Sequence, residues 1–224
     1  MHLFIRFSYT LGEDTVVLKG FKKPQIVPRT RILKGDRTNT SFIENLSTHT
    51  GTHIDVPYHM LADGATLDQF EIGDFIFSKP LLIEIPKSDL EKINEEELSQ
   101  YEERIKNCDI LMLYTGFSRY RKTDPERYLE KQPGLSEKAA IYLTRFPNLR
   151  CLAIDLVSPE NVPEARPKSY PVHKILFRAF KKLIILEDAD LSILKGKNIK
   201  KVYVIPLFLE KADGAPVTAF AEIE

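Results

Sequence analysis

Apolar and polar positions follow two different rhythms along this chain. The first third carries short β-type segments, LFIRFSY, TVVL, QIVPRTRIL and SFIENL, punctuated by Gly12, Gly20, Pro24 and Lys34-Gly35-Asp36. After a loop signal at ADGAT, FIFSKPLLIEI predicts two strand pieces interrupted near Pro80. The pattern then shifts to alternation. NEEELSQYEERIKN predicts a helix with Asn94 as N-cap, Glu97 three residues on, and Leu98, Tyr101 and Ile105 on its buried face. DILMLYTG reads as a buried strand. Ser136 caps a second helix, SEKAAIYLTRF, which stops before Pro147 and leads to the strand CLAIDLVS. A third helix, VHKILFRAFKK, with Val172, Ile175, Leu176, Ala179 and Phe180 at its apolar positions, feeds the strand LIILE. KVYVIPLFLE, a turn at Asp213-Gly214 and VTAFAEI complete the pattern. A β-rich start followed by β-α-β alternation predicts one α/β domain over residues 1–224, with a mixed sheet and flanking helices.

Composition narrows the possibilities. With 43% apolar and 29% charged residues in 224, the chain can bury a substantial core. Its 32 Lys and Arg balance 32 Asp and Glu, so no electrostatic footprint points to nucleic acid or an anionic membrane as partner. No apolar run approaches the ~18 residues of a membrane span. Arg6 interrupts the apolar opening and no small-residue cleavage site follows, so it reads as a strand rather than a signal peptide. Cys108 and Cys151 each precede an apolar run and read as buried thiols without a disulfide framework. His2 reads as a surface residue, EKINEEEL as a solvated helix face, and the expected setting is cytoplasmic.

Three of the five histidines fall within HTGTHIDVPYH, residues 49–59. His49 and His53 have the i, i+4 spacing of a helical zinc site, but Gly51, Pro57 and the β-branched neighbours make a poor helix, and the Glu of HExxH is absent. In extended chain His49, Gly51, His53, Asp55, Pro57 and His59 share one parity, while Ile54 and Val56 point to the core. Residues two apart lie ~6.6 Å from each other, close enough for His53 and Asp55 to reach one cation. His49 would lie roughly 13 Å from His53 in a straight strand, so the chain must bend, and Gly51 permits it. Pro57 would turn His59 toward the site from another side. A closed structural zinc site usually recruits cysteines, and both are distant in sequence. The spacings of metallo-β-lactamases (HxHxDH) and of amidohydrolase barrels (HxH) are also missing, and Gly116 and Ser118 form no GxSxG elbow.

The stretch resembles the HxGTHxDxPxH signature of the cyclase-like metal-dependent hydrolases, whose best-known members are bacterial kynurenine formamidases. Every fixed position is present: His49, Gly51, Thr52, His53, Asp55, Pro57 and His59. Looser similarity runs through SYTL, DGATLDQ, LYTGF, AIDLVSPE, VHKILF and IILED. The resemblance implies a swivelling β/β/α-like fold and a centre of one or two ions, most often zinc, with manganese in some members. His49, His53 and Asp55 would be ligands, Asp55 able to bridge, joined by His173 and a later carboxylate. Glu187 is favoured because it directly follows an apolar run, with Asp188 and Asp190 as alternatives. His59 would be the acid/base residue. A homo-oligomer, dimer or tetramer, is also implied.

These residue types suit metal-assisted hydrolysis of a small molecule. A bound cation brings the pKa of water to about 7 and polarises a carbonyl. His59, ordinarily near ~6.5, would take a proton from the nucleophile and pass one to the leaving amine. The expected substrate is a formamide or amide, N-formylkynurenine foremost; a cyclic amide, imide or lactone is the alternative, and a non-catalytic metal-binding protein the rival class. Asp155 reads as a supporting or structural acid. Tyr58, Phe70 and Phe117 could line a pocket, although core packing is the better reading for most of them.

Overall fold

The computed structural model describes residues 3–224; Met1 and His2 lie outside the described residues. Strands run at Leu3–Arg6 (β1), Gln25–Thr30 (β2), Thr40–Glu44 (β3), His53–Asp55 (β4), Ile76–Phe77 (β5), Pro80–Glu84 (β6) and Lys92–Ile93 (β7). They continue at Ile110–Tyr114 (β8), Gly134–Leu135 (β9), Cys151–Ile154 (β10), Ile184–Glu187 (β11), Ile199–Pro206 (β12) and Gly214–Ile223 (β13). Helices span Glu95–Ser99 (α1), Glu102–Ile105 (α2), Tyr120–Thr123 (α3), Pro125–Glu130 (α4), Glu137–Leu143 (α5), Val162–Ala165 (α6) and Pro171–Ala179 (α7).

Nine strands make one mixed sheet in the order β5-β12-β13-β4-β11-β10-β8-β6, with β1 also on β13. Strands β6, β8, β10 and β11 are mutually parallel, and their residues are apolar on both faces because both faces are covered. Leu111, Leu113, Leu152 and Ile185 pack under helices α5 and α7, whereas Ile110, Met112, Ala153 and Leu186 face the antiparallel half. Strand β4 joins the halves and runs antiparallel to both neighbours. Only Ser78 and Lys79 separate β5 from β6, yet these strands end opposite sides of the strand order. Three residue steps reach at most about 11 Å, so the sheet must curl to bring its edges together.

This is the α/β architecture that the pattern predicts, with local departures. The helix predicted over 94–107 divides into α1 and α2, because Tyr101 (φ −112°, ψ 14°) leaves helical geometry. Its cap is as expected: the Glu97 carboxylate accepts from the Asn94 N–H at 3.0 Å. TVVL forms no strand; it finds no pairing partner and runs as a loop beside the cavity described below. Strands β2 and β3 pair only with each other and stand apart as a ribbon. Cys108 and Cys151 are buried free thiols, and burial pushes the Cys151 thiol well above its usual range.

Ile54, wholly buried at the centre of the sheet, carries β4. Replacing Ile54 with Ala should lower the unfolding free energy by about 2–5 kcal/mol, measurable by urea denaturation; a change within experimental error would mean that β4 is not held by this burial.

Candidate metal centre

The alternation of β4 sends Ile54 and Val56 to the core and leaves His53 and Asp55 on the opposite face, as their parity predicts. Both polar residues are nonetheless buried, at 5% and 1% exposure, so they face other protein groups rather than water. Gly51 takes φ +63°, the bend that returns His49 to the same place. Pro57 opens a short 3-10 turn, Pro57–His59, that swings His59 alongside. The register Glu187↔His53 puts the last residue of β11 beside the cluster, and the first turn of α7 supplies His173. The site therefore sits at the carboxyl end of a parallel strand, the usual place for ligands in open α/β sheets.

Imidazoles and carboxylates interleave. Asp55 Oδ1 lies 2.7 Å from His49 Nδ1 and 3.4 Å from His53 Nε2, while its Oδ2 lies 3.5 Å from His173 Nε2 and 3.8 Å from His59 Nε2. Glu187 reaches His53 Nε2 at 3.3 Å with one oxygen and His173 Nε2 at 3.2 Å with the other. Two ligands at ~2.1 Å from a tetrahedral cation stand about 3.4 Å apart, so most of these gaps have the size that a shared ion requires. Among the described residues three donor sets have ligand atoms within 4.8 Å of one another: the more exposed His49–His59–Asp213, and the more buried His49–His53–Asp55 and Asp55–His173–Glu187. The two more buried sets share Asp55. The donors of these two sets fit zinc or another first-row cation, one per set.

The far side of each ring is also held. His53 Nδ1 donates to the Gly51 carbonyl at 2.8 Å, and His173 Nδ1 to the Glu160 carboxylate at 2.7 Å, which leaves each Nε2 free toward the cluster. Glu160 further accepts from the N–H groups of Val172 and His173 at the start of α7. Asp213 Oδ2 takes His49 Nε2 at 2.7 Å and His59 Nδ1 at 3.1 Å. Glu160 and Asp213 carried no site assignment in the sequence; AIDLVSPE and the Asp213-Gly214 turn contain them, but nothing local marks their partners.

Of the three carboxylates at and just after the end of β11, only Glu187 enters the cluster. Asp188 turns aside at φ +51°, where Arg121 grips both its oxygens at 2.7 Å and Tyr128 donates at 2.8 Å. Asp190 instead accepts from Ser192. Asp155 is a structural acid: it accepts from Thr115, Gly116 and Ser118 and ties β10 to the turn after β8, with burial pushing its carboxyl up.

Above the cluster opens a cavity of about 430 Å³ walled by Val16, Val17, Leu18, Phe21, Val162 and Tyr170. Arg166 is the single Lys or Arg along it among the described residues. Phe70 and Phe117 are core residues and Tyr58 is exposed, so none of them lines it.

Electrostatics show that the cluster is built to hold positive charge. Burial disfavours the imidazolium of His49, yet Asp55 and Asp213 outweigh it and carry its pKa up to about 9. Burial likewise opposes protonation of His53 and His173, and neighbouring carboxylates raise both well above the ordinary value. Burial acts to raise Asp55, but the surrounding histidines hold it far below the usual carboxylate range; hydrogen bonds from His49 and His59 hold Asp213 low as well. Protons on these rings would balance the carboxylates where no cation is bound, and a cation would compete with them for the same nitrogens.

Interleaved imidazoles and carboxylates on the floor of an apolar cavity, carried by this mixed sheet, define the class of metal-dependent hydrolases. Residues 5–161 match the Cyclase family ("Putative cyclase"), and the chain belongs to that family. A kynurenine formamidase of Geobacillus thermodenitrificans is 32% identical over 174 residues, covering 78% of this chain and 76% of the relative. Among solved structures, an isatin hydrolase bound to the product analogue thioisatinate superposes with TM-score 0.84 at 18% identity, covering 99% of this chain and 92% of the other. A protein described as a potential metal-dependent hydrolase with cyclase activity gives TM-score 0.76 at 25% identity, covering 100% and 99%.

The raised histidines set a pH dependence. His49 binds its proton more tightly folded, at about 9, than at its ordinary 6.5, so its contribution is complete below ~6.5 and is lost as pH rises through about 9. His53 and His173 act in the same direction. The melting temperature of chelator-treated protein should therefore fall between pH 6.5 and 9, and that of zinc-loaded protein should fall less. Parallel curves in differential scanning fluorimetry would contradict this account.

Proposed function

We propose that this protein hydrolyses a non-peptide C–N bond, a formamide or other amide of a small aromatic molecule, with N-formylkynurenine as the first candidate. The observation that carries the reading is the pair of buried three-donor sets sharing Asp55 beneath an apolar cavity, with His59 beside them, outside these two and grouped only with His49 and Asp213. The similarity to kynurenine formamidases supports the formamide within this reading. His49, His53, Asp55, His173 and Glu187 would hold one or two zinc ions, with manganese as the other candidate metal.

The bound cation supplies a water acidic enough to ionise near neutral pH and polarises the substrate carbonyl. The protein does the rest. Gly51 and Glu160 hold His53 and His173 in the orientation that ligation needs. His59, with Nε2 toward Asp55, takes the proton of the attacking water and delivers it to the departing nitrogen. The cavity has the volume of a site for a small organic ligand, and its apolar wall favours an aromatic body.

Metal-depleted protein reloaded with zinc or manganese should hydrolyse N-formylkynurenine. His59→Ala should keep its metal and lose at least ~10²-fold in kcat; Asp55→Ala should lose metal and activity together. Metal-replete protein inert on N-formylkynurenine but active on a lactam or imide would move the reading to cyclic amides. An unaffected His59→Ala would remove the assigned proton transfer and favour a binding protein.

The same reading includes a homo-oligomer, dimer or tetramer. A lone two-stranded ribbon is marginal in water, and β2–β3 exposes Ile26, Phe42 and Ile43, with Ile32 and Leu33 between the strands. Light scattering should give a multiple of 25.7 kDa, and Phe42→Glu with Ile43→Glu should reduce it without loss of metal. A wild-type mass of one chain would end the proposal.

A further inference from the structure

Asp213 sits in the turn before β13, 154 residues from His59 and 164 from His49, yet one of its oxygens meets both rings. Its placement is tightly built. The Asp213 carbonyl accepts from Val56 N–H at 3.0 Å, and Leu67 N–H reaches the preceding carbonyl at 2.9 Å. The next residue, Gly214, lies so close to β4 that a Cβ there would stand 2.2 Å from the Ile54 carbonyl oxygen. Asp213 and Gly214 are thus fixed to the segment that carries the histidines and Ala212 to the turn that follows it, and the Asp213 carboxylate, 32% exposed, is aimed at the two rings.

The two rings are used in opposite senses. His49 presents Nε2 to Asp213 and Nδ1 to Asp55; His59 presents Nδ1 to Asp213 and Nε2 toward Asp55. A carboxylate can only accept, so the nitrogen of each ring facing Asp213 carries the hydrogen. His49 meets a second carboxylate, Asp55, at 2.7 Å through Nδ1, whereas His59 Nε2 stands 3.8 Å from Asp55, outside hydrogen-bonding distance, and in the neutral ring keeps its lone pair toward the cluster. The ring centroids stand 4.0 Å apart, a spacing at which an unneutralised pair would repel if both became cationic.

We propose that Asp213 is the positioning residue of this site: it fixes His59 as the Nδ1–H tautomer, with Nε2 ready to accept a proton, while the same oxygen holds the His49 ring in place. The proton-transfer part rests on the hydrolase reading above; the tautomer part does not. During turnover His59 Nε2 gains the proton from the attacking water and loses it to the leaving nitrogen, so His59 ends as it began and Asp213 stays ionised throughout. Asp213 stabilises the intervening imidazolium and touches no reacting atom.

The test uses Asp213→Asn, Asp213→Glu, His59→Ala and the double variant His59→Ala/Asp213→Asn, all at saturating zinc, with folding checked by circular dichroism. In nitrogen-15 histidine spectra of the zinc-loaded protein, His59 should show a protonated Nδ1 and a bare Nε2, and Asp213→Asn should shift it toward a mixture. Zinc stoichiometry should be unchanged. kcat should fall about 10–100-fold with KM little altered, Asp213→Glu should recover part of it, and Asp213→Asn should cost under about twofold once His59 is absent. An unchanged His59 tautomer, an equal loss in the His59→Ala background, or the loss of one zinc ion would each overturn the proposal, the last by making Asp213 a ligand. If the wild type hydrolyses no amide, the hydrolase reading fails, and the tautomer and zinc measurements still decide the role of Asp213.

Discussion

Everything at this site depends on the pairing of β4 along both edges. On one side β11 sets Glu187 opposite His53; on the other β13 sets Gly214 opposite Asp55 and Pro216 opposite His53. Side chains in a strand alternate with period two, so a slip of one residue in either pairing would turn a whole row of side chains to the other face. Ile54 and Val56, wholly buried, make such a slip costly. The hydrophobic face of a three-residue strand thereby secures the position of its polar face.

That polar face carries a concentration of buried charge that would be destabilising if left unpaired. Asp55, Glu187 and Glu160 are each at most 5% exposed on their side chains, and every one meets at least one imidazole. A second, separate network stands beside it, where Arg121, Tyr128 and Asp188 close on one another and the Arg121 guanidinium lies 3.7 Å over the Tyr9 ring. This network takes the carboxylate next in sequence after Glu187 out of the cluster of imidazoles and carboxylates. Two adjacent acids thus serve different ends because a left-handed residue turns the chain between them.

The cavity has an origin of its own. Its apolar wall comes largely from residues 16–21, a segment that belongs to no sheet, and from the stretch preceding α7, where Ser169 and Tyr170 both adopt positive φ. Backbone strain of this kind persists where surrounding structure enforces it, often next to a binding site. Scaffold and wall are therefore separable: the sheet and the turns at its strand ends hold the cluster of imidazoles and carboxylates, while irregular segments shape what approaches it. Such a division lets members of one fold act on different substrates.

Much of the arrangement was legible in the chain itself, wherever a nearest-neighbour property decided the outcome. The parity of His53 and Asp55, the bend at Gly51, the turn at Pro57, the cap at Ser136 and the buried strands follow from side-chain alternation, backbone freedom and apolar runs of a few residues. Glu187 followed from its place at the end of such a run, although its separation from Asp188 and Asp190 needed the Arg121 contact. The break at Tyr101, the failure of residues 15–18 to pair, and the detachment of the β2–β3 ribbon were decided by tertiary packing, since local pattern states only that a segment can form an element. Glu160 and Asp213 lie further still from sequence reading. An acid acquires its role when a ring nitrogen is brought within hydrogen-bonding distance, and only the folded register of β4 against β13, with α7 set above it, determines which acid that is.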